Sequence, residues 1–228
     1  MTTNAEERVA LVTGGSTGLG RALSSELARQ GWRVITDGRS QEKFKDAGLP
    51  AAVTVVVGDL TAADHRDRLR TEVERHGRLD LLVHNASTLG PLPMRPLAEA
   101  DIADLMHVWR TNIGGPLVLT SALLPWLRAA DGVLLSISSD AAVHHYETWG
   151  LYGASKAALD HVTLTYAAET GLRAYAVDPG DMRTAMHQDA FPGEDISDRP
   201  LPETVVPHIL ALLDARPESG RYQAGDFS

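Results

Sequence analysis

Short apolar runs alternate with longer helical patterns along this chain, and that alternation restricts its possible folds more than any other feature. Residues 9–13, Val53–Val57 and Val133–Ile137 are almost continuously apolar, without the every-second-residue polar positions of a half-exposed strand. Strands of this kind are covered on both faces, which is typical of a parallel sheet between helical layers. Because helical patterns separate successive strands, the sequence predicts an α/β fold with a doubly wound parallel sheet and helices on both faces.

The remaining segments complete this pattern. Further strands are predicted at 33–36, 79–83, 172–177 and 221–224, and helices at 18–30, 61–76, 98–128, 153–169 and 203–214. The third of these helices is interrupted at 112–116, where the sequence reads Asn-Ile-Gly-Gly-Pro. Residues 186–202 are the least regular stretch, and we interpret them as a surface loop or as a mobile lid over a binding site. With 228 residues and 43% hydrophobic content, the chain is expected to form one domain over 1–228.

Charge and residue usage exclude several classes of function. The net charge of −9 disfavours nucleic acid as a partner, because phosphates favour a basic face. The chain has no cysteine, so disulfides, thiolate metal sites and cysteine nucleophiles are excluded. Its nine histidines lack the clustered spacing of a zinc site, and no metal is expected. The polar residues 1–7 do not resemble a signal peptide and no apolar run reaches bilayer length, so no membrane association and a cytoplasmic location are expected.

A glycine-rich turn joins the first strand to the first helix. It reads Thr-Gly-Gly-Ser-Thr-Gly-Leu-Gly over residues 13–20, with glycines at 14, 15, 18 and 20. Glycines let the backbone approach a ligand closely, and the helix that follows offers unpaired N–H groups to a pyrophosphate. A tight turn without a ligand is the simpler alternative, but the position between strand and helix favours dinucleotide binding.

The spacing of Gly14, Gly18 and Gly20 resembles that of the short-chain dehydrogenase/reductase family, and the resemblance continues from about residue 9 to residue 222. Asn85-Ala86 resembles part of the family's Asn-Asn-Ala-Gly motif, although His84 and Ser87 depart from it. The resemblance implies a Rossmann-like domain that binds a nicotinamide dinucleotide. Together with Ser16 and Arg39, which are discussed below, the predicted cofactor-binding residues are Gly14, Ser16, Thr17, Gly18, Leu19, Gly20, Arg39, Asp59, Leu60, Asn85, Ala86, Tyr152, Lys156, Pro179, Gly180, Met182 and Thr184.

Tyr152 and Lys156 are the strongest candidates for chemistry. They are four residues apart near the start of a helix, so both side chains project from one face. A nearby ammonium is expected to lower the tyrosine pKa from about 10, which would let Tyr152 exchange a proton with a carbonyl or alcohol oxygen. In isolation the pair is also compatible with an incidental pair on a solvated helix face.

Serines at the end of the fifth strand are the second part of the candidate site. Either Ser138 or Ser139 can hydrogen-bond a substrate oxygen at this strand end. The family's spacing, with its serine thirteen residues before the tyrosine, selects Ser139. The resemblance also implies that Asn112 is catalytic, with a backbone group that holds a water in a relay to Lys156. His144 and His145 either line the substrate entrance or lie on the surface, and both interpretations stay open.

The end of the second strand decides between the two nicotinamide cofactors. A carboxylate at this position binds the ribose 2′-hydroxyl of NAD, and a guanidinium binds the 2′-phosphate of NADP. The family's acidic position corresponds to Gly38, which has no side chain, and Arg39 follows it. Asp37 is expected to point to the other face of the pleat. NADP(H) is therefore predicted over NAD(H), with Ser16 as a second phosphate contact.

These residues predict an NADP(H)-dependent oxidoreductase that interconverts a small-molecule carbonyl and a secondary alcohol, with the reductive direction favoured. Substrate walls are expected at 89–94, 141–149 and 180–200. Trp149, His145, Met182, Met186 and Phe191 either form a mixed apolar pocket there or belong to the core or the surface. An epimerase or dehydratase and a non-catalytic cofactor-binding regulator are the alternatives. The family also implies a homodimer or homotetramer formed through its long helices, including 153–169.

Overall fold

One parallel sheet organises the part of the chain that the computed structural model describes, residues 7–227. Its seven strands lie in the order β3-β2-β1-β4-β5-β6-β7, and every neighbouring pair is parallel. This confirms the predicted doubly wound fold. In chain order the strands are β1 Val9–Val12, β2 Arg33–Gly38, β3 Val53–Val57, β4 Leu81–His84, β5 Val133–Ile137, β6 Arg173–Asp178 and β7 Gly220–Gln223.

Eight α-helices connect and cover these strands in the described residues. They are α1 Gly18–Arg29, α2 Gln41–Asp46, α3 Ala63–His76, α4 Ile102–Trp109, α5 Gly115–Ala129, α6 Gly150–Thr170, α7 Ala185–Ala190 and α8 Pro202–Ala215. The predicted interruption between α4 and α5 is a π-helical segment, Arg110–Gly114. Two short helices, α2 and α7, were not predicted, and α6 begins three residues earlier than expected.

The apolar strands pack against helices on both faces, as their continuous hydrophobicity predicts. Along β1, Ala10 and Val12 face a core that includes Leu23 of α1 and Ile209 of α8. The alternate side chains of β1 face a second core with helices α3 and α5, built from residues such as Leu69 and Leu123. Successive strand side chains point to opposite faces, so a strand covered on both sides buries every side chain, as β1, β4 and β5 do. The edge strand β3 is only partly buried and exposes Thr54.

The strand order places the carboxyl ends of β1 and β4 at the point where the winding of the sheet reverses. After β3 the chain returns across β1 and adds β4 on the opposite side. Open α/β sheets bind their ligands in the crevice that forms at this switch point. The glycine turn after β1 and the motif after β4 therefore meet at the expected place.

The predictions about a signal peptide and about membrane-spanning segments have different outcomes. The prediction that residues 1–7 do not form a signal peptide rests almost entirely on residues 1–6, which lie outside the described part of the structure. Within the described residues, every helix is too short or too polar to cross a bilayer.

Candidate active site

A cavity of about 410 Å³ runs along the carboxyl ends of the strands. It extends from the glycine turn and the tip of β2, past β4 and β5, to Tyr152 on α6. The structure therefore brings most of the predicted residues together, although their individual roles stay predictions. The predicted residues that line the cavity are Gly14, Ser16, Thr17, Gly18, Leu19, Arg39, Asp59, Leu60, Asn85, Ala86, Ser139, Tyr152, Lys156, Pro179, Gly180, Met182 and Thr184.

The glycine turn forms a cradle that side chains would fill. Gly14 and Gly18 have φ values of 73° and 55°, the left-handed region that favours glycine. A Cβ on Gly14 would lie 2.9 Å from the Cα of Ala86, so the turn and the β4 loop pack without space for a side chain. Thr17 does not cap α1 with its side chain. The first N–H groups of this helix thus face the cavity without a side-chain cap, which fits the pyrophosphate of a dinucleotide.

Gly20 is the exception among the predicted contacts, because it does not line the cavity. A Cβ at this position would lie 2.4 Å from Nδ2 of Asn85 and 2.5 Å from the carbonyl oxygen of Gly14. Asn85 Nδ2 in turn donates hydrogen bonds to the carbonyl oxygens of Thr13 (2.8 Å) and Gly14 (3.2 Å). Because Gly20 has no side chain, the Asn85 amide has the space to hydrogen-bond and stabilise the glycine turn on the side away from the cavity.

Two charged side chains, Asp37 and Arg39, lie at the end of β2, and within the described part of the chain only Asp37 has hydrogen-bond partners for its charged group. Asp37 is buried, its Oδ1 accepts a hydrogen bond from the Gly14 N–H (2.8 Å), and its Oδ2 lies 2.9 Å from His65 Nε2. Both oxygens thus fasten β2 to the glycine turn and to α3. Arg39 is exposed at the cavity and, within residues 7–227, forms no ion pair. Asp37 lines the cavity and was expected to point away from it, but both of its oxygens are engaged. At the tip of β2, Arg39 is therefore the charged group that is free to meet the ribose substituent.

Sequence reasoning missed two polar residues at this end of the cavity. Ser40 and Lys43 line it beside Ser16 and Arg39. Ser40 caps the short helix α2 by accepting a hydrogen bond from the Lys43 N–H at 3.3 Å. The serine before a charged segment was the available signal, since serine is a preferred N-cap residue. The four side chains together make a polar, cationic pocket that fits a phosphate.

Tyr152 and Lys156 lie in the first two turns of α6, as predicted, with both side chains toward the cavity. Tyr152 is 8% exposed and Lys156 is 2% exposed. The Lys156 ammonium donates a hydrogen bond to the carbonyl oxygen of Ile137 (2.8 Å), and its Nζ lies 5.5 Å from the centroid of the Tyr152 ring. The end of β5 therefore fixes the lysine behind the tyrosine. Ser139 is the second residue after that strand end and lines the cavity.

Burial controls the proton affinity of both groups. It raises the pKa of the Tyr152 phenol well above its usual value, and hydrogen bonding with Ser139 and Ser87 only partly offsets this effect. The predicted lowering of the Tyr152 pKa by the ammonium is therefore wrong for this structure, because burial of the phenol raises it. Burial also lowers the pKa of Lys156 to about 8, against an opposing effect of the Asp160 charge. A protonated phenol is the form that can donate a proton to a carbonyl oxygen.

Asn112 lies behind the cavity wall and does not line it. Its side chain is 1% exposed, accepts a hydrogen bond from the Thr88 N–H (2.9 Å), and donates one to Ser155 Oγ (2.9 Å). The side chain is thus used to fasten the loop after β4 to α6. It occurs in the π-helical segment, a geometry frequent at functional sites because it perturbs the regular backbone hydrogen bonding. The predicted backbone role of Asn112 stays a prediction.

The two serines after β5 have different surroundings. Ser138 is buried and donates a hydrogen bond to Asp160 Oδ2 at 2.7 Å. Ser139 faces the cavity, where its hydroxyl donates to Asp140 Oδ1 at 3.1 Å. Both serines line the cavity, but the Ser138 side chain is buried and its hydroxyl is engaged by Asp160, so Ser139 is the better placed of the two to meet a ligand. Asp140 also lines the cavity. It was not predicted, because no sequence pattern distinguishes this carboxylate from one that faces solvent.

The segment after β6 is more regular than predicted. Residues 186–202 were expected to be irregular, but α7 occupies the beginning of that stretch. Thr184 starts this helix, because its Oγ1 accepts a hydrogen bond from the His187 N–H at 3.1 Å. The prolines and acidic residues that follow obscured so short a helix in the sequence. Met186 and His187 on α7 line the cavity.

The far end of the cavity is mostly apolar and aromatic. Leu89, Met186 and Tyr152 pack in one cluster with Trp149. The Trp149 ring lies 5.6 Å from that of Tyr152 and 5.7 Å from that of Phe191, measured between centroids. Phe191 does not itself line the cavity but supports Trp149 from outside.

The histidine pair His144-His145 lies on the surface and not at the substrate entrance. Both His144 and His145 are exposed and neither lines the cavity. Of the predicted pocket residues, His145 therefore lies on the surface. Within the described residues, no group of three or more histidine, aspartate or glutamate side chains is arranged to hold a metal ion.

Comparisons with known proteins agree with this geometry. Residues 8–195 match the family model described as short chain dehydrogenase. The uncharacterized oxidoreductase YciK of Escherichia coli (strain K12) is 32% identical over 228 residues, which covers 94% of this chain and 90% of that protein.

Solved structures show the same relationship. A short chain dehydrogenase from Shigella flexneri 2a str. 301, complexed with NADP, has a TM-score of 0.88 and 31% identity over 96% of this chain and 98% of its own. One from Escherichia coli CFT073, complexed with NADPH, has a TM-score of 0.87 and 32% identity over 96% of both chains. From its sequence, its sheet and its cavity, the chain belongs to the short-chain dehydrogenase/reductase family of oxidoreductases.

Proposed function

We propose that the protein is an NADP(H)-dependent oxidoreductase that reduces a carbonyl compound to a secondary alcohol and can run in reverse. The observation that carries this proposal is the arrangement at the far end of the cavity. There the Ser139 and Tyr152 hydroxyls border the open space, and the buried Lys156 ammonium lies behind them. A protonated phenol and a second hydroxyl at one wall suit the polarisation and protonation of an oxygen.

The chain's own residues perform the positioning and the proton transfer. The Ser139 and Tyr152 hydroxyls hydrogen-bond the substrate oxygen, and Tyr152 donates its proton as negative charge develops there. The positive charge of Lys156 then stabilises the phenolate that remains. When bound, NADPH supplies the hydride that reduces the carbonyl carbon. Trp149 and Leu89 cover the apolar part of the substrate and keep water away from the reacting atoms.

The preference for NADP(H) rests on the tip of β2. Ser16, Arg39 and Lys43 surround the space beside Gly38, and both oxygens of Asp37 are already engaged. The relatives solved with NADP and NADPH support the same cofactor.

We therefore expect Arg39→Gln to raise KM for NADPH about tenfold or more, since hydrogen bonds to charged groups contribute about 1.5–3 kcal/mol. KM for NADH should change little. Arg33→Gln, at the other end of β2 where Arg33 pairs with Glu7, is the matched control. A higher affinity of the parent enzyme for NADH than for NADPH would contradict the assignment.

The substrate end favours carbonyl compounds without a carboxylate. Asp140 lines the cavity beside Ser139, and its oxygens accept hydrogen bonds only from the hydroxyls of Ser139 and Tyr146 among the described residues. Its negative charge therefore lacks a cationic partner there and repels an anionic group. The apolar walls around Trp149 fit a hydrophobic or aromatic substituent.

A panel of carbonyl compounds, followed by the loss of NADPH absorbance, tests the proposed activity. Neutral aryl and alkyl ketones should give higher kcat/KM than keto acids of similar size. NADPH binding without oxidation by any compound would instead favour a cofactor-binding regulator. Epimer formation without net NADPH consumption would favour an epimerase.

We also propose that the chain forms a homodimer or homotetramer. The exposed apolar side chains Ile102, Met106 and Trp109 lie on α4 and at its end, and Leu117 and Val118 lie on α5. A second copy would cover them. Because α6 does not carry this exposed apolar surface, the interface is expected on α4 and α5. Light scattering should give a multiple of 24.5 kDa, and a monomer at micromolar concentration would contradict the proposal.

A further inference from the structure

Arg221 on the last described strand, β7, contacts three parts of the chain at the candidate site: the segment after β5, helix α6 and the end of β6. Its Nη2 donates a hydrogen bond to the carbonyl oxygen of Ser139 (2.9 Å) and contacts Asp178 Oδ2 at 3.4 Å. Its Nε donates to Asp160 Oδ2 at 3.2 Å. We infer that Arg221 is a positioning residue that holds Ser139, α6 and the turn after β6 in their reactive arrangement, an inference that rests on the proposed function.

Two partners of Arg221, Ser139 and Asp178, border the cavity themselves, and the third lies on the helix of Lys156, which also borders it. Asp160 is four residues after Lys156 on α6, and its Oδ2 also accepts the hydrogen bond from Ser138. Asp178 ends β6, where its Oδ1 accepts a hydrogen bond from the Gly180 N–H at 3.0 Å. A single guanidinium therefore connects the serine, the helix of the lysine and the turn expected beside the nicotinamide.

Arg221 is the cation that pairs with two largely buried carboxylates, those of Asp160 and Asp178. The side chains of Asp160 and Asp178 are 11% and 7% exposed, and that of Arg221 is 24% exposed. Removing the cation would take the ion-pair partner from two largely buried carboxylates, and Asp160 would keep only the more distant charge of Lys156, which is costly. Burial already raises the pKa of Asp160, while Ser138 and Arg221 act to lower it. The carboxylates would then be expected to separate, and they would move the elements that they hold.

Arg221 acts through these partners because it does not line the cavity itself. The planar guanidinium can donate in several directions at once, whereas a lysine ammonium on a flexible stem holds the same geometry less well. Since small displacements at a reacting centre cost large factors in rate, the expected effect falls on kcat more than on cofactor affinity.

The test compares Arg221→Met with Arg173→Met. Arg173 begins the neighbouring strand β6 at its opposite end, where its guanidinium hydrogen-bonds the carbonyl oxygens of Arg216 and Pro217. Both variants lose one arginine that ties a strand of the same sheet to carbonyl groups. Arg221→Met is expected to lower kcat about 10- to 100-fold with the Kd for NADPH within threefold, and Arg173→Met to keep kcat within about twofold. Arg221→Lys should give an intermediate kcat.

Hydrogen exchange supplies a readout that needs no substrate. Backbone amides of residues 138–142 should exchange faster in Arg221→Met than in the parent, with no such change in Arg173→Met. If no carbonyl substrate is found, this measurement still tests the connection, so the two proposals can fail separately. Should Arg221→Met not fold, Arg221→Lys decides by the same two measurements. Unchanged kcat and unchanged exchange in the Arg221 variant, or equal losses in both arginine variants, would overturn the inference.

Discussion

Replacing Tyr152 with phenylalanine is expected to lower kcat for carbonyl reduction by about 10²- to 10⁴-fold, the range typical of a lost general acid. The change removes one hydroxyl from a side chain that is 8% exposed and keeps the ring that packs against Trp149. Folding and NADPH binding should therefore persist. Initial rates with the best substrate of the panel give kcat, and quenching of protein fluorescence gives the Kd for NADPH.

Tyr166→Phe is the matched control for this experiment. Tyr166 lies on the same helix, α6, and its hydroxyl hydrogen-bonds the Leu117 carbonyl oxygen (2.9 Å) and Ser121 (2.6 Å), away from the cavity. It loses the same group without touching the site, so its kcat should stay within about twofold of the parent, as surface changes usually have small effects. Near-normal turnover in Tyr152→Phe would refute the proposed role of Tyr152.

Replacing Lys156 with methionine should be comparably damaging, with a loss of about 10²-fold or more in kcat/KM, as expected when charge stabilisation at the reacting oxygen is removed. Methionine keeps the approximate volume of the buried stem, but it removes the donor to the Ile137 carbonyl oxygen and the positive charge behind Tyr152. Lys45→Met, an exposed lysine of α2 beside Glu42, controls for loss of a positive charge. Turnover of Lys156→Met close to that of the control would exclude the ammonium from the mechanism.

The same lysine predicts how the parent enzyme responds to pH. Burial lowers the pKa of Lys156 to about 8, so the ammonium is present below this pH and is lost above it. The value of kcat/KM for reduction, which reports on the free enzyme, should accordingly decline above about pH 8. Because the Asp160 charge raises the pKa of Lys156, Asp160→Asn should move this decline to lower pH. A flat profile to pH 10 would contradict the assignment.

The fold was largely predictable because it depends on patterns that repeat. Val53–Val57 and Val133–Ile137 are strands with the predicted bounds. β5 is buried at every position, whereas the edge strand β3 is only partly buried and exposes Thr54. Mostly apolar runs of this length are typical of strands in a parallel sheet. The helices α2 and α7 were not predicted, because each has only six residues and lies in a polar segment. A window short enough to detect them gives little periodicity.

The site was predictable to the extent that it depends on spacing along the chain. Tyr152 and Lys156 share a helix, and Ser139 follows a strand that packs against it, so local pattern and resemblance were sufficient. The engagement of Asp37 with His65 and the contacts of Arg221 join residues that are 28 and up to 82 positions apart. The raised pKa of Tyr152 depends on how completely the fold buries the phenol. No single-sequence pattern reports such distances or such burial.

β7 follows the other six strands along the chain, and this has a consequence for the biosynthesis of the enzyme. A ribosome makes the other six strands before it makes Arg221, and folding during synthesis proceeds from the amino terminus. Until β7 pairs with β6, Asp160 and Asp178 lack their shared counter-ion and the Ser139 carbonyl lacks its donor. A nascent chain with a complete glycine turn, tyrosine and lysine would still be poorly active, so turnover should begin only after β7 has been made and has paired with β6.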